Sequence, residues 1–356
     1  MLDWYILKKF LSTFFFSILL LILIIVVIDY TENNEKFVKS GVDSWQVFQY
    51  YLAFIPWIAN LIAPITVFIS SVMITAGLAA KTEIVAILSL GISFRRMLLP
   101  YFLGSLFLAG ISFYANGWLI PNSNKFRIAF EVEHLQKPFS FSERDIHFKI
   151  GPSEYLYLES YNNRRNAGYR MTLERIEDGI LTAKFSARKM VWNDSLGKWT
   201  IHNWELREIH DFGEKFTTGK KLDTLISITP EDFDNKYLLN EAMDLTELSN
   251  HIEVLIDRSA DDVAIFQNEI YVRYMMPFTV IILTLMGVFV SAEKSTRGGV
   301  GYKIAMGFLI AFAFIIMFVL VKAIADSGSM NPLLAIWIPN LIGLAGTAVL
   351  YRFVSK

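Results

Sequence analysis

Residues 10–28 read FLSTFFFSILLLILIIVVI, a run of 19 positions without a charged side chain. A run of roughly 17–25 apolar residues is long enough to cross the hydrocarbon core of a bilayer as an α-helix. Lys8 and Lys9 precede the run, as in a secretory signal peptide, but Asp29-Tyr30-Thr31-Glu32 follows it without a small-residue cleavage site. The run therefore predicts a retained transmembrane helix.

Five further stretches reach the same length, so the sequence predicts a membrane α-helical protein with six transmembrane helices. The six stretches are Phe10–Ile28, Tyr51–Ala80, Met97–Ile120, Met275–Ala292, Tyr302–Ala325 and Leu333–Val354. The second contains Pro56 and Pro64, which predict a kinked and tilted helix that protrudes from the bilayer.

Charged residues concentrate between the third and fourth stretches. Of the 67 Lys, Arg, Asp and Glu residues, 45 lie in 121–270. This distribution predicts membrane blocks at 1–120 and 271–356 that flank one water-soluble insert. The net charge of −1 argues against electrostatic binding of nucleic acid, and the absence of cysteine excludes disulfides and thiolate metal sites.

Positive charge predicts the orientation in the membrane. Six spans leave both termini on one side, and the basic residues there are Lys8, Lys9, Lys81, Arg95, Arg96, Lys294, Arg297, Arg352 and Lys356. The two short loops on the other side carry only Lys36 and Lys39 as basic residues. Because cytoplasmic loops are enriched in Lys and Arg, both termini are expected in the cytoplasm and the insert outside it.

The insert has β texture from about Phe139 to Thr229. Apolar and polar residues alternate in 146–150 and in 155–158, and a hairpin is predicted where 189–192 meets 199–201. Short strands at this spacing predict an antiparallel sandwich or open barrel, hence an all-β, jellyroll-like domain.

The segment after Pro230 is predicted to be a helical and acidic connector back to the membrane. From Leu239 to Ile270 it has one base, Arg258, and eight acids, namely Glu241, Asp244, Glu247, Glu253, Asp257, Asp261, Asp262 and Glu269. The acids are interpreted either as a solvated face or as a docking surface.

The sequence offers no site for catalysis or metal binding. All five histidines (His134, His147, His202, His210 and His251) lie in the insert without H-E-x-x-H spacing. No nucleophile–base pair or nucleotide motif is visible, so the chain is predicted to have no catalytic residue, metal or cofactor of its own.

A short helix is predicted in the loop between the second and third spans, over 82–91. Thr82 is expected to cap its start, Glu83 to suit its positive end, and Gly91 to end it in the left-handed conformation. The helix is apolar almost all round. One interpretation is a helix that lies in the membrane interface, and the other is a coupling helix that fits a groove in a cytoplasmic partner.

Four basic residues near the outer membrane surface are candidates for lipid head-group contacts: Lys36, Lys39, Arg273 and Lys322. Interfacial anchoring is the alternative for each. Lys322 is also expected to lie within pairing distance of Asp326, four residues later.

The arrangement of three helices, an exterior β insert and three more helices resembles the lipopolysaccharide-export permease family (LptF/LptG) over essentially the whole chain. Local sequences that carry the resemblance are Thr82-Glu83-Ile84, Gly91-Ile92-Ser93, Pro100, Arg273-Tyr274-Met275-Met276-Pro277, Ser295-Thr296-Arg297-Gly298-Gly299, Asn331-Pro332 and Trp337-Ile338-Pro339-Asn340. One departure is the end of the first span, where Lys36 and Lys39 are mixed with acids although the family is often more basic there.

The resemblance implies a subunit of the bacterial inner membrane that pairs with a sister permease and binds a cytoplasmic ATPase dimer. It implies extraction of lipopolysaccharide and its transfer to a periplasmic bridge protein, with ATP bound by the partner. Glu83 would contact the ATPase, within a coupling site formed by Thr82, Glu83, Ile84, Ile87, Leu88 and Gly91. The alternative function is an envelope sensor or scaffold with a periplasmic interaction domain and no transport.

Overall fold

A computed structural model describes residues 2–135, 144–162, 165–177, 179–210, 213–230, 233, 238–257, 263–292 and 299–354. The helices in chain order are α1 (Leu2–Ser40), α2 (Ser44–Ala80), α3 (Glu83–Ser89), α4 (Phe94–Tyr114), α5 (Ile120–His134), α6 (Leu239–Ala242), α7 (Leu245–Asp257), α8 (Val263–Ser291), α9 (Gly299–Asp326) and α10 (Pro332–Val354). Some residues used in the sequence analysis lie outside the described ranges. They are Lys294, Arg297 and Lys356, which supported the predicted orientation, and 295–298, which belong to one of the segments that carry the family resemblance.

Within these ranges, six helical segments are long and apolar enough to cross a membrane. They are Leu2–Ser40, Ser44–Ala80, Phe94–His134, Val263–Ser291, Gly301–Asp326 and Pro332–Arg352. Each overlaps one of the six predicted stretches over nearly its whole length, which confirms the six spans. An inserted antiparallel sheet lies between the third and fourth spans along the chain.

The second span is one helix of 37 residues despite Pro56 and Pro64. Its start is fixed by a capping box, in which the Asp43 side chain accepts from backbone N–H groups and the Gln46 side chain accepts from the Asp43 N–H. Such a box satisfies amide groups that have no partner within the helix.

The third span continues beyond its predicted end at Ile120. A π-helical turn, Ala115–Leu119, joins α4 to α5, and the helix runs on to His134. The helix continues through Pro121, although a proline ring clashes with the preceding turn and lacks an N–H. The wider π-turn directly before Pro121 changes the hydrogen-bond pattern, since the Ile120 N–H donates to the Ala115 carbonyl five residues back.

The inserted sheet has six antiparallel strands in the order β1-β2-β3-β4-β5-β6. The strands are β1 (Arg144–Gly151), β2 (Glu154–Asn162), β3 (Ala167–Glu177), β4 (Ile180–Asn193), β5 (Lys198–His210) and β6 (Gly213–Thr224). The alternating segments 146–150 and 155–158 lie in β1 and β2, as predicted, and the predicted start at Phe139 lies outside the described residues. Among the six strands each bonds its sequence neighbour, so this sheet is an up-and-down meander without Greek-key crossings.

The hairpin between β4 and β5 confirms the prediction. Trp192 pairs with Trp199, and Asn193 pairs with Lys198. Gly197 has a φ of +57°, a left-handed conformation that glycine adopts without a steric penalty.

The chain divides into two compact units. One, here called the membrane unit, comprises 1–136, 241–246 and 264–356, and the other, the β unit, comprises 137–240 and 247–263. The membrane unit has an apolar core that includes Ile6, Phe10, Phe68, Ile84 and Tyr101. The β unit has its own core on one face of the sheet, formed by Ile146, Leu156, Leu158, Tyr161, Met171, Ala187, Met190, Trp199, Ile201, Ile228 and Phe233.

Candidate functional site

The short helix predicted between the second and third spans is present as α3. It spans the seven residues Glu83–Ser89 between α2 and α4. Gly91 follows it with a φ of +81°, and its N–H donates to the Leu88 carbonyl at 3.0 Å. The helix therefore ends at a left-handed glycine, as predicted.

The prediction that Thr82 caps this helix with its side chain is wrong. Thr82 has a φ of +59°, and its hydroxyl donates to the Lys81 carbonyl at 2.6 Å instead of accepting an N–H of the first turn. A capping side chain requires an extended backbone at its own position, and the left-handed conformation of Thr82 does not supply it. Thr82 contributes through its backbone, since its carbonyl accepts from the Ala86 N–H.

The two faces of α3 have different surroundings. Ile84 and Ile87 are buried in the core of the membrane unit. Val85 and Leu88 are exposed, and Leu90, just after the helix, is 80% exposed. Since residues three apart lie on one face of a helix, the inward pair anchors α3 and the outward pair offers an apolar surface. Of the predicted coupling residues, Leu88 is thus on the outward surface, and Ile84 and Ile87 are on the inward one.

Glu83 is half-buried at the first turn of α3 and contacts α1. The Tyr5 hydroxyl donates to Glu83 Oε2 at 3.1 Å, and Lys9 Nζ donates to the same hydroxyl. The Lys9 ammonium polarises the Tyr5 hydroxyl and so strengthens its donation to the carboxylate. The acid that the sequence singled out is thus held within its own chain by a tyrosine.

A second contact joins α1 to the start of α4. The guanidinium of Arg96 donates two hydrogen bonds to the Asp3 carboxylate, at 2.7 and 2.5 Å. Arg96 lies in the first turn of α4, where its backbone N–H donates to Ser93. A bidentate arginine–carboxylate pair fixes the relative orientation of the two groups as well as their distance.

The lysines predicted as lipid contacts at the end of α1 are near its last turn. Lys39 pairs with Glu35 at 2.6 Å, and both side chains are more than two-thirds exposed. Lys36 donates to Asn33 Oδ1 at 3.0 Å. An exposed i,i+4 pair contributes at most about 0.5 kcal/mol, so Lys39 can exchange Glu35 for another anion at little cost.

Arg273 and Lys322, the other two candidates, converge on one carboxylate. Arg273 is 3% exposed and pairs with Glu269 at 3.0 Å, and Lys322 pairs with Glu269 at 3.6 Å. Arg273 also donates to the Met243 carbonyl at 2.6 Å. The pairing expected between Lys322 and Asp326 is replaced by this contact, and Asp326 accepts from Asn268 at 2.9 Å. The reason is that α8 places Glu269 closer to Lys322 than the next turn of α9 does.

A buried ion-pair network lies on α5 and was missed from the sequence. Arg127 is 2% exposed and pairs with Glu131 at 3.0 Å and with Glu241 at 3.1 Å. Asn124 accepts from Arg127 and donates to the Glu241 backbone carbonyl. The Trp57 ring lies 4.4 Å from the Arg127 guanidinium. The i,i+4 spacing of Arg127 and Glu131 was the available sequence signal.

The acidic connector is helical within its described part, as predicted, but it is not uniformly solvated. Glu241 and Glu269 both belong to the buried networks of the membrane unit, whereas Arg258, Asp261 and Asp262 lie outside the described residues. Burial, and then the charge of Glu269, raise the pKa of Glu241, and the nearby Arg127 opposes this shift. The interpretation of the acids as one solvated face is therefore wrong for these two.

Two cavities border apolar side chains. One, of about 520 Å³, lies between α1 and α2 and is lined by residues that include Tyr30, Phe37 and Tyr51. The other, of about 270 Å³, lies within the β unit beside Leu173, Phe185 and Leu222. Small-ligand pockets start at about this size and are mostly apolar.

Comparison with known families supplies an identity for this arrangement. A sequence model of the family described as lipopolysaccharide export system permease LptF/LptG matches residues 4–352. None of the curated proteins compared with the chain matches it. The matched range includes α3, the inserted sheet and all six candidate spans except the first two residues of α1, and the family is one of transporters, not of enzymes. The chain belongs to the LptF/LptG family of lipopolysaccharide export permeases.

Proposed function

We propose that this protein is a permease subunit of an ATP-driven lipopolysaccharide exporter in the bacterial inner membrane. The observation that carries the proposal is α3, a short helix that is anchored by Ile84 and Ile87 and presents Glu83, Val85 and Leu88 at its surface. Such a helix suits the transfer of motion, because it is fixed to the spans on one side and open to a partner on the other.

In this function a cytoplasmic ATPase dimer binds ATP, and the chain itself binds no cofactor. Glu83 pairs with a basic residue of the ATPase, and Leu88 inserts into an apolar groove beside it. Ile84 and Ile87 pass the resulting displacement to the core of the membrane unit. Thr82 and Gly91 set the two ends of the helix through their left-handed backbones.

A sister permease subunit completes the lipid pathway. Only 6% of the most apolar window of α1 and 17% of that of α9 is buried within the chain. Among the described spans these two leave the largest share of apolar surface without protein contact, and we assign part of it to the sister subunit. A membrane cavity between the two subunits then opens and closes with the ATPase.

The lipid leaves through the β unit. In this orientation both termini are cytoplasmic and the sheet is periplasmic, where it passes lipopolysaccharide to a bridge protein. The 270 Å³ cavity is lined by apolar side chains such as Leu173 and Phe185 and by polar groups such as Glu154, and its apolar part supports a contact with acyl chains. Lys36 and Lys39 are the accessible candidates for phosphorylated head groups, whereas Arg273 and Lys322 would first have to exchange Glu269.

The experiment is to purify the exporter with Glu83→Ala or Glu83→Lys and to measure both bound ATPase and lipid release. We expect Glu83→Lys to lose more bound ATPase than Glu83→Ala, because it places a cation against a basic partner. Glu177→Ala is the matched control, since Glu177 is an exposed acid in the β unit. If both Glu83 variants retain the ATPase and release lipid at the rate of the unmodified exporter, the coupling role fails.

A further inference from the structure

The proposed coupling helix, α3, is connected through the backbone to α2 and α4, and side-chain contacts also connect this region to α1. The connections to α2 and α4 are covalent, whereas those to α1 come from residues 78 and 93 positions away. Three separate contacts make this link, at the start of α3, along its inner face and after its end.

At the start, Tyr5 on α1 donates to Glu83, and Lys9, one turn later on α1, donates to Tyr5. Tyr5 therefore touches the same carboxylate that the proposed function gives to the ATPase. A movement of Glu83 is therefore transmitted to Tyr5 through this hydrogen bond. Without the Tyr5 hydroxyl, the Glu83 carboxylate loses this contact with α1.

After the end of α3, the Asp3 carboxylate accepts both hydrogen bonds from the Arg96 guanidinium. Arg96 lies in the first turn of α4, and Ser93 caps that turn. Asp3 and Tyr5 are two positions apart on α1, so the first two turns of α1 bridge the two ends of the loop that contains α3.

Between these polar contacts the packing is continuous. Ile84 and Ile87 are buried in the same apolar cluster as Ile6 and Phe10, which are both 0% exposed. Phe10 in turn packs against α4, where its ring centroid lies 5.7 Å from that of Tyr101. A close-packed cluster transmits displacement because its side chains have little free volume.

The rest of α1 is held differently. None of its residues from 15 to 32 is buried in the chain, and burial resumes only at Asn33 and Phe37. The middle of the helix is therefore packed on one side only, where Ile18 and Ile22 lie partly buried against neighbouring apolar clusters. A displacement that enters at Asp3 and Tyr5 therefore acts on a helix whose only fully buried side chains lie towards its two ends.

We propose that α1 is the element that the coupling helix moves, and that Asp3, Tyr5 and Arg96 are the positioning residues that connect them. This inference rests on the proposed function, in which α3 receives its motion from an ATPase. It assigns a direction to that motion within the chain, from Glu83 through Tyr5 and from Arg96 through Asp3 into α1.

The test uses the complete exporter in lipid nanodiscs. This chain contains no cysteine, so Leu19→Cys on α1 and Leu341→Cys on α10 introduce its only thiols, at positions that are exposed within the chain, and any cysteines of the partner subunits are first replaced by serine. The distance between the labels is measured with and without ATP plus vanadate, and lipid release per ATP is measured in the same preparation. The variants are Tyr5→Phe, Asp3→Arg, Arg96→Asp and the double exchange of Asp3 and Arg96.

We expect Asp3→Arg and Arg96→Asp each to reduce the nucleotide-dependent change in label distance and to lower lipid release per ATP by about fivefold or more. The double exchange restores both readouts, because it rebuilds the ion pair with reversed sign. Tyr5→Phe removes one hydroxyl and lowers release without loss of the ATPase. Tyr114→Phe, an exposed tyrosine on α4, is the control and leaves both readouts unchanged.

The inference is overturned if the single variants keep the full change in label distance. A variant that merely unfolds is recognised because the double exchange then fails to rescue a lowered melting temperature, and this outcome also counts against a specific pair. The proposed function fails separately, through Glu83→Ala. If Glu83→Ala uncouples the exporter while Tyr5→Phe and Asp3→Arg leave α1 responsive to nucleotide, only the inference is wrong.

Discussion

Asn60 on α2 and Asn116 in the π-helical turn exchange two side-chain hydrogen bonds, each 2.8 Å long. Asn116 also donates to the Ser112 carbonyl, so its amide is used within α4 as well as across to α2. Asn60 lies between Pro56 and Pro64. The pair therefore joins the irregular turn of the third span to the proline-containing part of the second.

We expect Asn60→Leu and Asn116→Leu each to destabilise the protein by about 1 kcal/mol, because each leaves one amide without its partner in an apolar environment. The double variant should lose less stability than the sum of the two single losses, since both substitutions remove the same pair of hydrogen bonds. Thermal unfolding in detergent measures the three variants. Ser123→Ala, which removes an exposed hydroxyl on α5, is the control. Fully additive losses would contradict the pair.

Arg127→Met should be among the most destabilising substitutions in the membrane unit. It leaves Glu131, which is 2% exposed, without its arginine, and breaking a buried ion pair on one side costs about 3–5 kcal/mol. Lys39→Met is the matched control, because Lys39 also forms an i,i+4 pair but is 72% exposed. Its expected effect is below about 0.5 kcal/mol. Similar losses of melting temperature in the two variants would refute the importance of burial.

The raised pKa of Glu241 predicts a pH dependence with a definite sign. The folded state binds this proton more readily than the unfolded chain, whose carboxyl titrates at about 4.3. The contribution to stability is therefore complete below that value and is lost as the pH rises through the pKa of the folded state. Glu241→Gln should remove this slope while it keeps a hydrogen-bond acceptor for Arg127.

The measurement is the melting temperature of both proteins from pH 4 to pH 8. The curves should separate as the pH rises, with the glutamine variant the more stable at the upper end. Glu35→Gln, at an exposed site, should follow the unmodified protein throughout. Parallel curves for Glu241→Gln and the unmodified protein would show that burial does not govern this carboxyl.

Gly287→Ala should destabilise the contact between α8 and α2. A Cβ at position 287 would lie 2.0 Å from the Ser71 hydroxyl oxygen and 2.9 Å from the Phe68 carbonyl oxygen. Overpacking of this kind costs about 1–3 kcal/mol. Gly110→Ala on α4 is the control, because nothing lies within 4 Å of its Cβ position, and it should be neutral or stabilising. Ser71→Ala should relieve part of the loss. Equal melting temperatures of the two glycine variants would contradict the close approach of α8 to α2 at Gly287.

The elements that the sequence predicted well are those with a local signal. The six spans follow from apolar runs, and the β4–β5 hairpin follows from alternating residues on both sides of a turn that contains Gly197. α3 was also predicted, because Gly91 marks its end. The capping role of Thr82 was not predictable, since the choice between an extended and a left-handed backbone there depends on how α2 ends.

The contacts around the candidate site lack such signals. Asp3 and Arg96 are 93 positions apart, and Tyr5 and Glu83 are 78 apart. Nothing near Asp3 in the chain distinguishes it from any acid before a membrane span. Only the packing of α1 against α4 brings these groups together, and this packing is a property of the folded membrane unit. The same holds for Glu241, whose acidic neighbours suggested solvent.

The buried pair of Arg127 and Glu241 also has a consequence for synthesis. The two residues are separated by 114 positions, because the whole sheet lies between them in the chain. At about 5–20 residues per second, the ribosome makes Glu241 roughly 6–23 s after Arg127. During that interval the nascent third span already contains a guanidinium destined for the interior. Glu131, made within about a second of Arg127 at the same rate and four residues away on the same helix, can neutralise it from the start. Glu131 can therefore neutralise the Arg127 guanidinium in the nascent chain until Glu241 has been synthesised.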